Sequence, residues 1–133
     1  MDVIYLTVDQ VTDLHAEAIT TFGGIGGLRS QDLLESAVLQ PQQSAFGDDA
    51  YLSFSSKGAA YAYFLALNHP FVDGNKRTAA AAMLTFLDIN GFRINESDED
   101  LEEVIVRLAS KDISKDDFFL WAANAVKPHI EGG

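Results

Sequence analysis

His69-Pro70-Phe71-Val72-Asp73-Gly74-Asn75-Lys76-Arg77-Thr78 is the stretch on which the reading of this chain turns. It separates two apolar segments of helical length, one from about Phe54 to Asn68 and one from about Asn75 to Asn90. A turn carrying Gly74 and Asn75 leaves the first backbone N–H groups of the second helix pointing outward, a ready place for an anion. Lys76 and Arg77 then fall in its first turn, where positive charge opposes the helix dipole and a purely structural sequence favours Asp or Glu. Two cations there make sense if they wait for a phosphate, with Asp73 holding a metal ion beside it. His69 supplies a side chain that accepts a proton in its neutral form at cell pH.

Working outward, the helices announce themselves by caps and spacing. Thr7-x-x-Gln10 is a capping-box pattern, and Val8, Val11, Leu14, Ala18 and Ile19 follow at helical intervals until the Gly23–Gly27 run. Ser30 caps a second helix through Leu33, Leu34, Ala37 and Val38, with Pro41 past its end. Residues 41–52 have no periodicity and read as a surface loop, a candidate flap over the site. The fourth helix is apolar all round and rich in Ala from 79 to 82, which predicts a central helix closely packed on most sides; Gly91 suits its left-handed end. Phe92-Arg93-Ile94 reads as a short extended piece. Ser97 or Asp98 opens a fifth helix through Leu101, Val104, Ile105 and Leu108. Ser114-x-x-Asp117 opens a sixth, with Phe118, Trp121, Ala122 and Ala125 inward and Pro128 beyond. The expectation is an all-α fold: one compact domain over residues 1–133, a bundle of about six helices around the central apolar one.

The composition narrows the function. The chain has 133 residues, 47% of them hydrophobic and 22% charged, ordinary values for a globular protein. No apolar run approaches the roughly 20 residues that span a bilayer, and the N-terminus lacks a signal-peptide layout, so cytoplasm is the expected location and no membrane partner is expected. There is no Cys, hence no disulfide or thiolate chemistry. A net charge of −11, with nine Lys and Arg in all, argues against direct nucleic-acid binding. The same field repels ATP, so a nucleotide site needs local cations and a divalent metal. Lys76, Arg77 and Asp73 are placed to provide them.

Each residue also has a plainer reading. His69 alone would be a plug at the end of the third helix, and Asp73-Gly74 alone a turn. Asn75 serves equally as a cap for the central helix or as a phosphate ligand. Lys76 and Arg77 in isolation would be solvated surface cations. Gly-Asn-Lys-Arg-Thr is not a P-loop, for the spaced first Gly, the adjacent Gly-Lys pair and the preceding strand are missing. The glycines at 23–27 read as a flexible connector. Residues 95–100 lack the spacing and turn glycine of an EF-hand loop and read as negative charge at a helix start. His15 and His129 have no ligand partners at metal-binding spacing and read as structural or surface residues. Tyr61, Tyr63, Phe64, Phe86, Phe118, Phe119 and Trp121 read as core.

The block His-Pro-Phe-x-Asp-Gly-Asn-x-Arg resembles the signature of the Fic superfamily, and with Lys76 in the variable place the chain is similar to the Doc (death-on-curing) toxins. Tyr5-Leu6-Thr7, Gly26-Gly27-Leu28-Arg29, Leu33-Leu34-Glu35-Ser36-Ala37, Asn68, Phe86-Leu87 and Asn90-Gly91 agree with that branch, so the resemblance covers nearly the whole chain. It implies a toxin of a toxin–antitoxin system that moves the ATP γ-phosphate to a Ser or Thr hydroxyl of a translation factor, with elongation factor Tu as the implied target and arrest of translation as the outcome. His69 would be the catalytic base. Gly74, Asn75, Lys76 and Arg77 would bind the phosphates, and Asp73 would hold Mg²⁺ brought with ATP. Adenylyl-transferring relatives have Gly where this chain has Lys76, and a second Arg where it has Ala80. Nucleotidyl transfer to a protein hydroxyl is therefore the rival enzyme reading, and an inert nucleotide- or partner-binding module the rival from another class. Self-restrained Fic proteins carry a Ser/Thr-x-x-x-Glu helix; no Glu here has Ser or Thr four residues before it. Restraint is thus expected from elsewhere, and the Doc resemblance implies a separate antitoxin protein.

Overall fold

Six helices account for most of the chain in the computed structural model, which describes residues 2–129. Helix α1 (Val8–Phe22) starts at the Thr7 capping box, with Gln10 returning to the Thr7 N–H, and ends at Gly23 in a positive-φ conformation. Helix α2 (Gln31–Leu39) is capped by Ser30 and runs into a short 3₁₀ turn, Gln40–Gln42, that contains Pro41. Helix α3 (Phe54–Asn68) has Ser53 as its cap, and α4 (Asn75–Ile89) follows after six residues. Helices α5 (Asp98–Ala109) and α6 (Lys115–Ala125) take Ser97 and Ser114 as caps. A Ser, Thr, Asp or Asn just before an apolar-periodic run therefore located these starts well, because each satisfies a backbone N–H that the helix leaves unpaired.

The centre is the antiparallel pair α3 and α4. Helix α3 is the more enclosed of the two: Lys57 through Ala62, Leu65 and Ala66 are all buried. The centre expected of α4 alone is shared. Small residues explain the close approach, since a Cβ added at Gly58 would sit 3.2 Å from the Leu87 side chain, and Ala59, Ala62, Ala66, Ala79 and Ala82 have no exposure. Helix α1 packs on α4, α2 and α6 on α3, and α5 on both. Tyr61 is buried, its hydroxyl accepts the Leu6 N–H at 2.8 Å, and burial raises its pKa, so the phenol stays protonated. Of the aromatic set, Phe86 and Phe118 are fully buried, whereas Tyr63, Phe64, Phe119 and Trp121 are half-buried.

Two small antiparallel ribbons complete the fold. Strands β1 (Ser44–Ala45) and β2 (Asp48–Asp49) form a hairpin around Phe46 and Gly47, both with positive φ. The loop expected at 41–52 is thus partly ordered. Lys57, buried near the start of α3, reaches Asp49 Oδ2 at 3.2 Å and the Tyr51 carbonyl. That anchorage lies at the end of α3 remote from His69. Strand β3 (Phe92–Ile94) pairs with β4 (Val126–Pro128), which continues directly from α6. Pro128 tolerates this because only one edge of the ribbon is paired.

Candidate active site

The segment between α3 and α4 is held on three sides. His69 closes α3 in the left-handed region, φ 51° and ψ 56°, which is uncommon for a residue with a Cβ, although His is one of those that adopt it more often. Its carbonyl accepts from Arg29 Nε at 2.6 Å, and the Asn68 carbonyl accepts from the same guanidinium at 2.7 Å. Arg29 thereby satisfies the last carbonyls of α3 with one rigid fork. The Pro70 carbonyl accepts the Arg29 and Ser30 N–H groups, Gly27 accepts from Val72, and Leu28 bridges Phe71. The glycine connector is accordingly docked along the motif by backbone hydrogen bonds.

Inside this frame Phe71 is the anchor, 2% exposed. Asn75 clamps it: Phe71 N–H donates to Oδ1 and Nδ2 donates to the Phe71 carbonyl, both at 2.9 Å. The side-chain amide of Asn75 is thus turned inward and its helix-start position left to the backbone. His15 of α1 stacks on Phe71 and donates from Nε2 to the Asp73 carbonyl at 2.8 Å. Gly74, φ 78°, begins α4 without a capping side chain, and its own backbone would not admit more: a Cβ there meets Ile19 at 3.1 Å. Thr78, fully buried, donates its hydroxyl to the Gly74 carbonyl.

What faces solvent is the chemistry. The His69 imidazole is exposed and has no hydrogen bond among the described residues. Asp73 is exposed, with Oδ1 accepting from Gly74 N–H at 2.8 Å and Oδ2 from Ile25 N–H at 3.1 Å. These two backbone donors, with lesser help from His15 and Lys76, hold its carboxyl below the ordinary aspartate range. A carboxylate has about four lone-pair sites, so roughly two remain for a hard cation. Among the described residues no cluster of three His, Asp or Glu is placed to hold a metal ion. Lys76 is exposed and in no ion pair among the described residues. Helix α4 also has no acidic residue in its first turn, in contrast to α1, α2, α5 and α6.

Arg77 takes a different direction. Its guanidinium lies 3.9 Å from the Phe22 ring centre and pairs with Glu102 at 3.2 Å. It lines a cleft of about 410 Å³ between α1, α4 and α5, together with Leu14, Ala18, Ala80 and Leu84. So His69, Asp73, Lys76 and the first amides of α4 share one loop, while Arg77 faces the adjoining cleft. Sequence reasoning missed Arg29, His15 and Gly24 as parts of the site. Gly24, φ 120°, passes so near Asp73 that a Cβ would lie 2.8 Å from Oδ2.

Comparison with known proteins agrees with this architecture. The sequence model of the Fic/DOC family matches residues 5–87, a span that holds the motif and the residues of α1 and the connector that brace it. Toxin Doc of Mycolicibacterium smegmatis (strain ATCC 700084 / mc(2)155) is 45% identical over 92 residues, 65% of this chain and 71% of that protein. Protein kinase doc of Escherichia phage P1 is 29% identical over 110 residues, 83% of this chain and 86% of the phage protein. With a motif loop braced by α1 and the connector that follows it and a match that runs through all of it, the chain belongs to the Fic/DOC family, on its Doc branch.

Proposed function

We propose that this chain is a Doc-type toxin that transfers the γ-phosphate of ATP to a Ser or Thr hydroxyl of a protein, and that a translation factor, elongation factor Tu by family resemblance, is the acceptor. The observation that carries this reading is the exposed His69 imidazole, set by the left-handed end of α3 beside the uncapped start of α4 and Lys76. The acceptor oxygen attacks the γ-phosphorus as its proton passes to His69. The bond from that phosphorus to the β,γ-bridging oxygen breaks, and ADP leaves. Lys76 and the first α4 amides stabilise charge on the phosphate oxygens, and positioning supplies most of the rate. Asp73 would hold the Mg²⁺ that accompanies ATP, whose charge neutralises the phosphates. Arg77 serves from the cleft side, with N–H donors beyond the one that Glu102 occupies.

Ala80 favours this reading over nucleotidyl transfer. It lines the cleft with a methyl group where adenylyl-transferring relatives offer a second Arg to the phosphates. The similarity to Toxin Doc supports a separate antitoxin partner as the source of restraint. No helix among the described residues is long and apolar enough to cross a membrane.

The test is incubation with a cell lysate and ATP labelled on either phosphate. Label from the γ position on protein is expected, and none from the α position. Transfer from α-labelled ATP would overturn phosphotransfer in favour of nucleotidyl transfer. Expression alone is expected to arrest growth, and His69→Ala to relieve the arrest.

A further inference from the structure

Where α3, α6 and the chain after the hairpin meet, four rings surround one ammonium group. Lys115 Nζ lies 5.7 Å from the ring centre of Tyr51, 5.0 Å from Tyr63, 5.3 Å from Phe64 and 5.6 Å from Phe119. It also donates to the Tyr51 hydroxyl at 3.3 Å. The rings brace one another, with Tyr51 stacked on Phe119 at 5.7 Å, Tyr63 edge-on to Phe64 at 5.0 Å and to Phe119 at 6.2 Å. Every ring is within the distance at which an aromatic face attracts a cation, and convergent rings are how ammonium ligands are recognised.

Lys115 is an odd occupant for electrostatic reasons. It is the first residue of α6, where the helix dipole opposes a cation. The chain has 20 Asp and Glu for nine Lys and Arg, and Asp116 and Asp117 are its immediate neighbours. Even so, it forms no ion pair among the described residues and its ammonium is turned onto the rings. The cage's preference for an ammonium therefore prevails over the dipole and the nearby carboxylates. Its gate is one exposed, flexible side chain, and exposed side chains change rotamer rapidly. Carboxylates flank the site in sequence on both sides: Asp48 in β2 and Asp116 and Asp117 in α6, all exposed.

We propose that Tyr51, Tyr63, Phe64 and Phe119 form a binding site for a lysine ammonium of a basic protein segment, closed in the free chain by Lys115 as a tethered stand-in. The flanking carboxylates favour a segment with several positive charges over a lone small amine. This site is separate from the phosphate-transfer reading and does not depend on it.

The experiment titrates Lys115→Ala and wild-type protein with tetramethylammonium chloride and with a tetralysine peptide, following ring-proton NMR shifts of the cage. Lys115→Gln provides a second variant of similar length, and circular dichroism confirms the fold of each. Both probes are expected to bind the Lys115 variants saturably, about tenfold more tightly than wild type because the stand-in is gone. Tetralysine is expected to bind the more tightly of the two at low salt, and Asp116→Asn with Asp117→Asn to remove that advantage. No saturable shift in either folded Lys115 variant would overturn the site, as would binding that survives Tyr63→Leu unchanged. Equal affinity for the two probes would overturn the basic segment as the ligand.

Discussion

The imidazole of His15 lies flat on the ring of Phe71, with centres 3.8 Å apart and planes 4° from parallel. Because a carbonyl only accepts, the 2.8 Å contact from Nε2 to the Asp73 carbonyl fixes the proton on Nε2. One residue from α1 thus packs against the anchor of the motif loop and bonds to the loop's metal-ligand candidate. His15→Ala is expected to cost about 2–4 kcal/mol through the lost packing and hydrogen bond, measured by urea unfolding. Transfer is expected to fall with it, while His129→Ala, at the surface pair with Asp88, changes little.

His69→Ala is expected to lower transfer by roughly 10²–10⁴-fold, the range for removal of a general base. ATP affinity and fold are expected to hold, since the side chain is exposed and makes no hydrogen bond among the described residues. Near-normal turnover in the variant would return His69 to a structural role.

Gly24→Ala tests the docking of the connector. The added methyl meets Asp73 Oδ2 at 2.8 Å, and φ 120° is a conformation L residues rarely adopt. A loss of about 1–3 kcal/mol is expected, together with a weakened dependence of activity on Mg²⁺. Asp73→Ala is expected to change that dependence further; an unchanged Mg²⁺ profile would remove Asp73 from the mechanism.

Acid should undo the same contact. The folded-state pKa of Asp73 is lowered, so its contribution is present above the unfolded aspartate value and is lost as pH falls through the lower folded value. The Ile25 and Gly74 amide shifts are therefore expected to titrate together, with a midpoint below the ordinary aspartate range. Asp73→Asn is expected to abolish that transition.

At the centre of the fold, Gly58→Val would drive two methyl groups toward Leu87, whose side chain already stands 3.2 Å from the position of a Cβ. A cost of about 1–3 kcal/mol from overpacking is expected in thermal or chemical unfolding.

These variants also mark how far the sequence could be read. The helix starts at Thr7, Ser30 and Ser114 were legible because a cap and its N–H partner lie within three residues. His69, Asp73 and Lys76 could be grouped as one candidate site because they lie close together in sequence, from the end of α3 to the first turn of α4. The bracing by His15 and Ile25 was not, since the contacts with Asp73 span 58 and 48 residues and follow no periodicity. For the same reason the Gly23–Gly27 run looked like a free connector when it is a wall of the site. The β3–β4 ribbon was half seen, as nothing near Val126 signals a strand partner more than thirty residues earlier. The inward turn of the Asn75 amide and the Arg77–Glu102 pair likewise depend on side-chain direction, which spacing alone leaves open.

The left-handed backbone of His69 gives the molecule an asymmetric mutational future. A residue with a Cβ pays roughly 1–2 kcal/mol in that conformation, and glycine does not. His69→Gly is therefore expected to gain fold stability in the same step that removes the proposed proton acceptor. In cells where the activity is harmful, escape by this one substitution yields a protein expected to be at least as stable as its parent, still able to occupy any partner that recognises its surface. Descendants silenced by His69→Gly should persist as stable proteins and not be cleared as misfolded ones.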